Sequence, residues 1–319
     1  MGEHSLLTAM TRRERILGGL WGSLAGDALG VPVEFKDRAA VQADPVTDMR
    51  GFGTHRQPPG TWSDDGALLL CTADSLLAAE FDTADMGRRF VEWVKDGLWT
   101  AWGEAFDVGM ATSDALSRIE SGVPAEQAGG QGEYHNGNGS LMRILPVALR
   151  FAGGPAEQLI ERVERASSIT HAHPRSKMAC ALHSLVVRGL LNDDSPAQAI
   201  QSARAAFIAQ YGQVELGRFG PLLQDDFSTL SEGAVSSTGY VLHTLHASLW
   251  CLLKTASYEE CVLKAVNLGG DTDTTGCVAG GLAGVLQGVD AVPQRWRDAL
   301  ARREEVGLLF ERFAELLER

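Results

Sequence analysis

Between Ile16 and Ala28 the apolar residues Ile16, Leu17, Leu20, Trp21, Leu24, Ala25 and Ala28 recur at helical spacing, which turns one face of an α-helix into a core. Comparable stretches cover roughly 66–80, 86–96, 104–119, 140–152, 155–167, 175–191, 196–210, 239–254, 258–266, 274–288 and 302–318. Period-two alternation with β-branched residues is essentially absent, so the pattern predicts an all-α chain. Gly, Pro and Ser mark loops at 30–62, 121–139 and 212–238 and a turn at 192–196. No long polar linker, internal repeat or low-complexity tract divides the chain, and residues 1–319 read as a single domain. Hydrophobic residues make up 45% of the sequence and charged residues 22%, enough apolar surface for a sizeable core. Several of the 36 glycines fall inside helices. There each costs about 1 kcal/mol relative to Ala, and close helix packing or close ligand approach is the expected compensation.

The formal net charge of −13 and the lack of any Lys/Arg cluster argue against nucleic-acid binding, which needs cations on phosphates. The densest basic stretch, Thr11 to Arg15, reads as the solvated first turn of a helix. Five scattered cysteines, Cys71, Cys180, Cys251, Cys261 and Cys277, form no CxxC pair and are expected to be reduced packing thiols. No signal peptide is evident, and Met1-Gly2 lacks the Ser or Thr that myristoylation needs, Leu6 standing in its place. No apolar run is expected to span a bilayer. The expectation is a cytoplasmic chain with no membrane partner, and nothing demands more than a monomer.

Two hydroxyl-flanked acidic clusters lie far apart in the chain: Thr61-Trp62-Ser63-Asp64-Asp65, and Gly269-Gly270-Asp271-Thr272-Asp273-Thr274. Carboxylates converging in a fold repel one another unless cations sit between them. The candidate ligands Ser63, Asp64, Asp65, Asp271, Asp273 and Thr274 all offer hard oxygens, which favours Mg²⁺, Mn²⁺ or Ca²⁺ over Zn²⁺ or Cu²⁺. Asp271 and Asp273, two apart, would not share a face of a regular helix. On a loop freed by Gly269-Gly270 both can reach one point. The competing reading makes these residues helix N-caps, a role Ser, Thr and Asp favour; two matching clusters in one chain weigh toward a two-metal site.

Other segments carry weaker signals. Glu34 ends a Pro-containing turn in an apolar setting, which would raise its pKa as a general acid or base requires, although taken alone the reading as a surface glutamate in a loop prevails. Asn136 to Arg143 presents amides and a flexible backbone at a predicted helix start, a cradle for phosphate or a simple capped loop. His171 and His173 precede another helix, and isolated histidines are more often structural than catalytic.

Taken in order, Gly26-Asp27-Ala28-Leu29-Gly30 with Glu34-Phe35, Thr61 to Asp65, Asp107-Val108-Gly109, Asn138 to Arg143, Thr170-His171, Ser237 to Val241 and Gly269 to Thr274 resemble the ADP-ribosylglycohydrolase family, most of all its bacterial dinitrogenase-reductase-activating branch. The resemblance spans about residues 13–288. It implies a compact orthogonal multi-helix bundle with a binuclear Mg²⁺ or Mn²⁺ centre at the base of a cleft. By motif match Ser63, Asp64, Asp65, Asp271, Asp273 and Thr274 would hold the metals, with Glu34 and Asp107 catalytic. Asn138, Gly139, Ser140, Met142, Arg143, His171, Gly239 and Tyr240 would bind substrate, Arg143 adding positive charge and Tyr240 covering the adenosine or the cleft mouth. The implied reaction removes ADP-ribose from a modified protein side chain, most often arginine, and releases ADP-ribose. One departure stands out: where the branch carries an acidic residue after the tyrosine, this chain has His243 and His246.

Other readings are an ADP-ribosyl-binding or toxin-blocking protein with little turnover, and hydrolysis of another linkage, to serine or in O-acetyl-ADP-ribose. The presence of every expected ligand and of Glu34 argues against an inert relative. An all-α enzyme that ionises prenyl diphosphates is disfavoured, because a third Asp at helical spacing and cations for the leaving diphosphate are missing.

Overall fold

A computed structural model describes residues 10–211, 216–224 and 227–318. The Met1-Gly2 start and parts of the 212–238 loop lie outside these residues. Among them the chain forms α1 (Arg12–Gly30), α2 (Arg38–Ala43), α3 (Asp64–Ala78), α4 (Thr83–Asp96), α5 (Met110–Glu120), α6 (Leu145–Phe151), α7 (Ala156–Ser168) and α8 (Pro174–Leu191). It continues through α9 (Pro196–Tyr211), α10 (Gly220–Leu223), α11 (Val241–Lys254), α12 (Tyr258–Val266), α13 (Thr272–Gln287), α14 (Gln294–Ala299) and α15 (Arg303–Glu318). No strand occurs among the described residues, only isolated bridges such as Gly137 to Tyr240. The fold is the expected all-α bundle.

Helix α1 begins with a capping box: Thr11 Oγ1 accepts from the Glu14 backbone N–H at 3.2 Å, and the Thr11 N–H donates to Glu14 Oε2 at 2.6 Å. Arg15, expected in solvent, is buried instead and pairs with Asp193. From Arg15 to Gly30 every residue of α1 is buried, so the helix is covered on all sides. That corrects one expectation: Arg12–Val33, 22 residues of mean hydropathy 1.3 over its most apolar window, is long and apolar enough to cross a bilayer. Here that window is wholly enclosed by protein, as a central core helix is.

The covering is possible because α1 and α13 touch backbone to backbone. Gly18, Gly22 and Gly26, one per turn of α1, face Gly284, Gly280 and Gly276 of α13. A Cβ on Gly26 would lie 2.1 Å from the Gly276 carbonyl oxygen, and one on Gly22 would lie 2.4 Å from that of Gly280. Close helix packing is therefore what compensates these glycines. The seam sets the C-terminal end of α1 beside the N-terminal end of α13, where the Thr272 hydroxyl donates to the Gly30 carbonyl at 2.8 Å.

Element boundaries differ from expectation where a residue resists helix. Helix α5 starts at Met110 rather than near 104, because Gly103 and Asp107 take positive φ. Helix α6 starts at Leu145 rather than 140, with Pro146 in its first turn. Short α2 and α14 fall in stretches too brief to show periodicity. All five cysteines are free and buried, as expected.

Candidate active site

The turn after α1 and the loop before α13 are stitched together. The Phe35 N–H donates to the Gly270 carbonyl at 2.7 Å, and the Gly270 N–H returns to the Lys36 carbonyl at 2.8 Å. Gly269 and Gly270 both have positive φ, and a Cβ on Gly270 would sit 2.3 Å from the Ser237 carbonyl oxygen. Only glycine fits there. The stitch brings carboxylate oxygens of Glu34, Asp271 and Asp273 within 4.8 Å of one another, a group able to hold a metal ion.

Helix α3 delivers the other cluster. Ser63 is indeed its N-cap, its Oγ facing the Asp65 N–H at 3.3 Å. The aspartates are not caps. Asp271 holds the N-cap position of α13 but makes no side-chain capping bond, and Asp273 Oδ1 meets only its neighbour's Thr274 N–H at 2.9 Å. Asp65 Oδ2, Asp271 Oδ1 and Asp273 Oδ2 are buried and accept no hydrogen bond from the described residues. Buried acceptors without donors are costly. Burial first, then neighbouring carboxylates, push Asp64, Asp65 and Asp273 well above the usual carboxylate range. Such a donor set, all oxygen and acidic, with one unpartnered oxygen on each of Asp65, Asp271 and Asp273, fits hard divalent cations.

A cavity of about 650 Å³ opens above these groups. Its lining includes Glu34, Asp64, Asp65, Asp107, Asp271 and Thr274 with Asn138, Gly139, Met142, His171 and Gly239. Ser63 and Asp273 lie buried behind this lining, in the same two turns. Glu34 is buried, and desolvation, followed by repulsion from Asp107, Asp271 and Asp64, raises its pKa far above normal. Asp107 is half-buried on a positive-φ backbone; burial raises its pKa while His55 opposes the shift.

Three substrate-binding expectations need correction. Arg143 is fully buried, its guanidinium 4.6 Å over the Phe90 ring, so it supplies no charge to the cavity surface. Burial lowers its pKa only to about 10, which leaves it cationic at neutral pH. Ser140 is also enclosed, accepting from Ser167 Oγ at 2.8 Å beside the Cys180 thiol. Tyr240 does not line the cavity; its ring stands edge-on to His243 at 5.0 Å. Asn138 does line it, yet both amide protons are committed, to Asp271 Oδ2 at 2.9 Å and Thr244 Oγ1 at 2.8 Å. These bonds hold the Asp271 carboxylate, and the next helix begins only at Leu145, so Asn138 does not stand at a helix start. His173, as expected of a structural histidine, caps α8 through Nδ1.

Two residues were missed. Asp27, fully buried in α1, accepts from the Ser63 N–H and hydroxyl, each at 3.0 Å, and from the Gly66 N–H at 2.7 Å. Burial raises its pKa to about 7 against those bonds. A lone aspartate amid the apolar face of α1 was the available signal. His55 contacts Glu34 through Nε2 and lies 4.0 Å from Asp107. It ends a single 3₁₀ turn, Gly53–His55, that no spacing rule could connect to Glu34.

The family model described as ADP-ribosylglycohydrolase matches residues 8–319. The chain is 31% identical over 309 residues to the ADP-ribosylarginine hydrolase Tri1 of Pseudomonas putida (strain GB-1), covering 94% of this chain and 78% of that one. It is 32% identical over 302 residues to the ADP-ribosyl dinitrogen reductase glycohydrolase of Rhodospirillum rubrum, covering 94% of each. A solved structure described as an ADP-ribosylglycohydrolase-related protein complex superposes with a TM-score of 0.80 at 33% identity, covering 96% of this chain and 99% of that one.

Proposed function

Because this chain belongs to the ADP-ribosylglycohydrolase family, we propose that it is a hydrolase that removes ADP-ribose from arginine side chains of modified proteins, using two divalent cations, Mg²⁺ or Mn²⁺. The observation that carries this reading is the cavity itself. Six carboxyl side chains line it, Glu34, Asp64, Asp65, Asp107, Asp114 and Asp271, and among the described residues no Lys or Arg does. An anionic substrate enters such a cavity only when cations offset the carboxylates. Ser63, Asp64, Asp65, Asp271, Asp273 and Thr274 would hold those cations, which when bound supply compensating charge and Lewis-acid polarisation.

The chain's own groups account for the proton traffic. Water adds its oxygen to the anomeric carbon as the bond to the guanidino nitrogen breaks. The raised pKa of Glu34 lets it carry a proton at neutral pH and deliver it to the leaving nitrogen. Asp107 lines the same cavity and takes the proton that the attacking water loses. His55, in contact with Glu34, fixes the carboxyl's orientation.

An arginine linkage suits this chemistry because its leaving group is cationic and the lining is acidic. Phe35, Met110 and Tyr134 line the cavity yet are 67%, 86% and 97% exposed, an apolar rim that can meet a target protein's surface. The five buried thiols support a cytoplasmic setting, and a monomer suffices for the site.

The test is release of free ADP-ribose from an arginine-ADP-ribosylated protein with Mg²⁺, with Mn²⁺ and with a chelator. Metal-dependent release from arginine, with a serine-linked protein untouched, is expected. No release from either substrate points instead to a binding or blocking role.

A pH effect follows as well. Asp27, Glu34, Asp64, Asp65 and Asp273 have folded pKa values above their ordinary 3.8 to 4.5. From that range up through neutrality the metal-free folded state therefore binds more protons than the unfolded chain, and its stability falls as pH rises. The metal-free melting temperature should drop between pH 6 and pH 8. Added Mg²⁺ or Mn²⁺ should raise it more at pH 8 than at pH 6, a comparison one calorimetric series makes. Equal shifts at both values would detach the cations from these carboxylates.

A further inference from the structure

Arg143 leaves a question: why is a charged guanidinium enclosed directly behind a substrate cavity? Its Nη2 donates to the Ala166 carbonyl at 3.1 Å and to Thr170 Oγ1 at 2.8 Å. Thr170 Oγ1 in turn lies 2.9 Å from His171 Nδ1. A guanidinium only donates, so the threonine oxygen is an acceptor toward Arg143. The Thr170 hydroxyl is completely buried, and among the described residues its proton has no acceptor other than His171 Nδ1. The arrangement that satisfies both the buried Thr170 hydroxyl and Nδ1 has the hydroxyl donating to Nδ1. Nδ1 then carries no proton, and Nε2 must carry one.

Nε2 faces the cavity. His171 lines it, and the ring lies against Gly137 and Gly139. A Cβ on Gly139 would sit 2.6 Å from His171 Cε1, so only glycine leaves the ring's edge uncovered. No described residue accepts from Nε2. Burial, then Arg143 and His135, lower the pKa of His171 to about 3. Among the described residues the lining has no Lys or Arg and the Asn138 amide is already committed, so His171 joins Thr112, Tyr134, His135 and Thr274 as a side-chain donor for substrate oxygens.

We propose that Arg143 and Thr170 form a relay that holds His171 in its Nε2–H tautomer, so that the ring donates a fixed hydrogen bond to an acceptor oxygen of bound ADP-ribose. Arg143 and Thr170 are positioning residues in this scheme, and His171 is the binding residue. The choice of ADP-ribose rests on the function proposed above; the tautomer does not.

The experiment uses the full chain with ¹⁵N-labelled histidine. Long-range ¹⁵N–¹H correlation spectra are recorded for wild type, Thr170→Val and Thr170→Ser, with His171→Gln to assign the signal. ADP-ribose affinity is measured on the same samples in the presence of Mg²⁺. The wild type should show the Nε2–H pattern. Thr170→Val should shift His171 toward the Nδ1–H form and weaken ADP-ribose binding on the order of tenfold. Thr170→Ser, which keeps the hydroxyl, should restore both.

An Nδ1–H pattern in the wild type overturns the relay, whether or not any variant folds. An unchanged tautomer in Thr170→Val does the same. A switched tautomer with unchanged affinity overturns the donor role. Absence of ADP-ribose binding by the wild type would defeat the functional reading instead, while the spectra still decide the relay.

Discussion

Asp273→Asn should lose turnover of ADP-ribosyl-arginine by on the order of 10³-fold while melting no lower than the wild type in the absence of divalent cations. The two halves of this expectation share one cause. Asp273 Oδ2 is buried without a donor, and Asp273 lies among carboxylates that repel it. An amide of the same shape removes that repulsion, so the metal-free fold is relieved. It also takes away a negative ligand and turns an N–H toward the cation. The added stabilisation from Mg²⁺ or Mn²⁺ should therefore shrink along with activity. Asp64→Asn, from the opposite cluster, should behave in the same way. Near wild-type activity in either variant would show that the carboxylates are not metal ligands.

Gly26→Ala tests the seam rather than the chemistry. The new methyl group would meet the Gly276 carbonyl oxygen at 2.1 Å, with the Gly276 carbonyl carbon at 2.5 Å. Backbone cannot step aside as a side chain can, so the helices must separate. A loss of about 3 kcal/mol or more is expected, the upper end for overpacked cores. Gly153→Ala is the control: nothing lies within 4 Å of a Cβ there, and a change within about 0.5 kcal/mol is expected. Denaturant melts of both variants decide the matter. If Gly26→Ala is as mild as the control, the two helices are not held by direct backbone contact.

How much of this was legible in the sequence depended on what each signal is made of. The long helices were readable because their apolar faces repeat over several turns. Helix α6 was placed five residues early because the 140–144 segment is apolar but coils into turns before Pro146. The acidic clusters were readable as a site because hydroxyl and carboxylate recur together at two helix starts. Their partners were not. Asp27 acts through hydrogen bonds from Ser63 and Gly66 that cross from α3 to α1, and His55 reaches Glu34 from a short 3₁₀ turn. Nothing in local spacing announces either contact. Arg143 misled for a related reason. Its motif matched a substrate-binding segment, but a half-turn of backbone decides whether a side chain faces the cavity or the core. The glycines of α1 and α13 carried a four-residue period from the start. Its meaning became specific only when the two stripes were seen face to face.

That seam has a consequence for how the molecule is made. Thr272 meets Gly30 across 242 residues of chain. A ribosome adding roughly 5–20 residues each second would need on the order of 12–50 s to supply the partner after α1 has emerged. Throughout that interval this helix, which satisfies the length and hydropathy of a membrane span, has no α13 to cover it. The growing chain therefore carries α1 without its glycine-lined partner until α13, 242 residues further on, has been made. Chaperone capture of stalled nascent chains should concentrate on this first helix and fade only once α13 has cleared the exit tunnel.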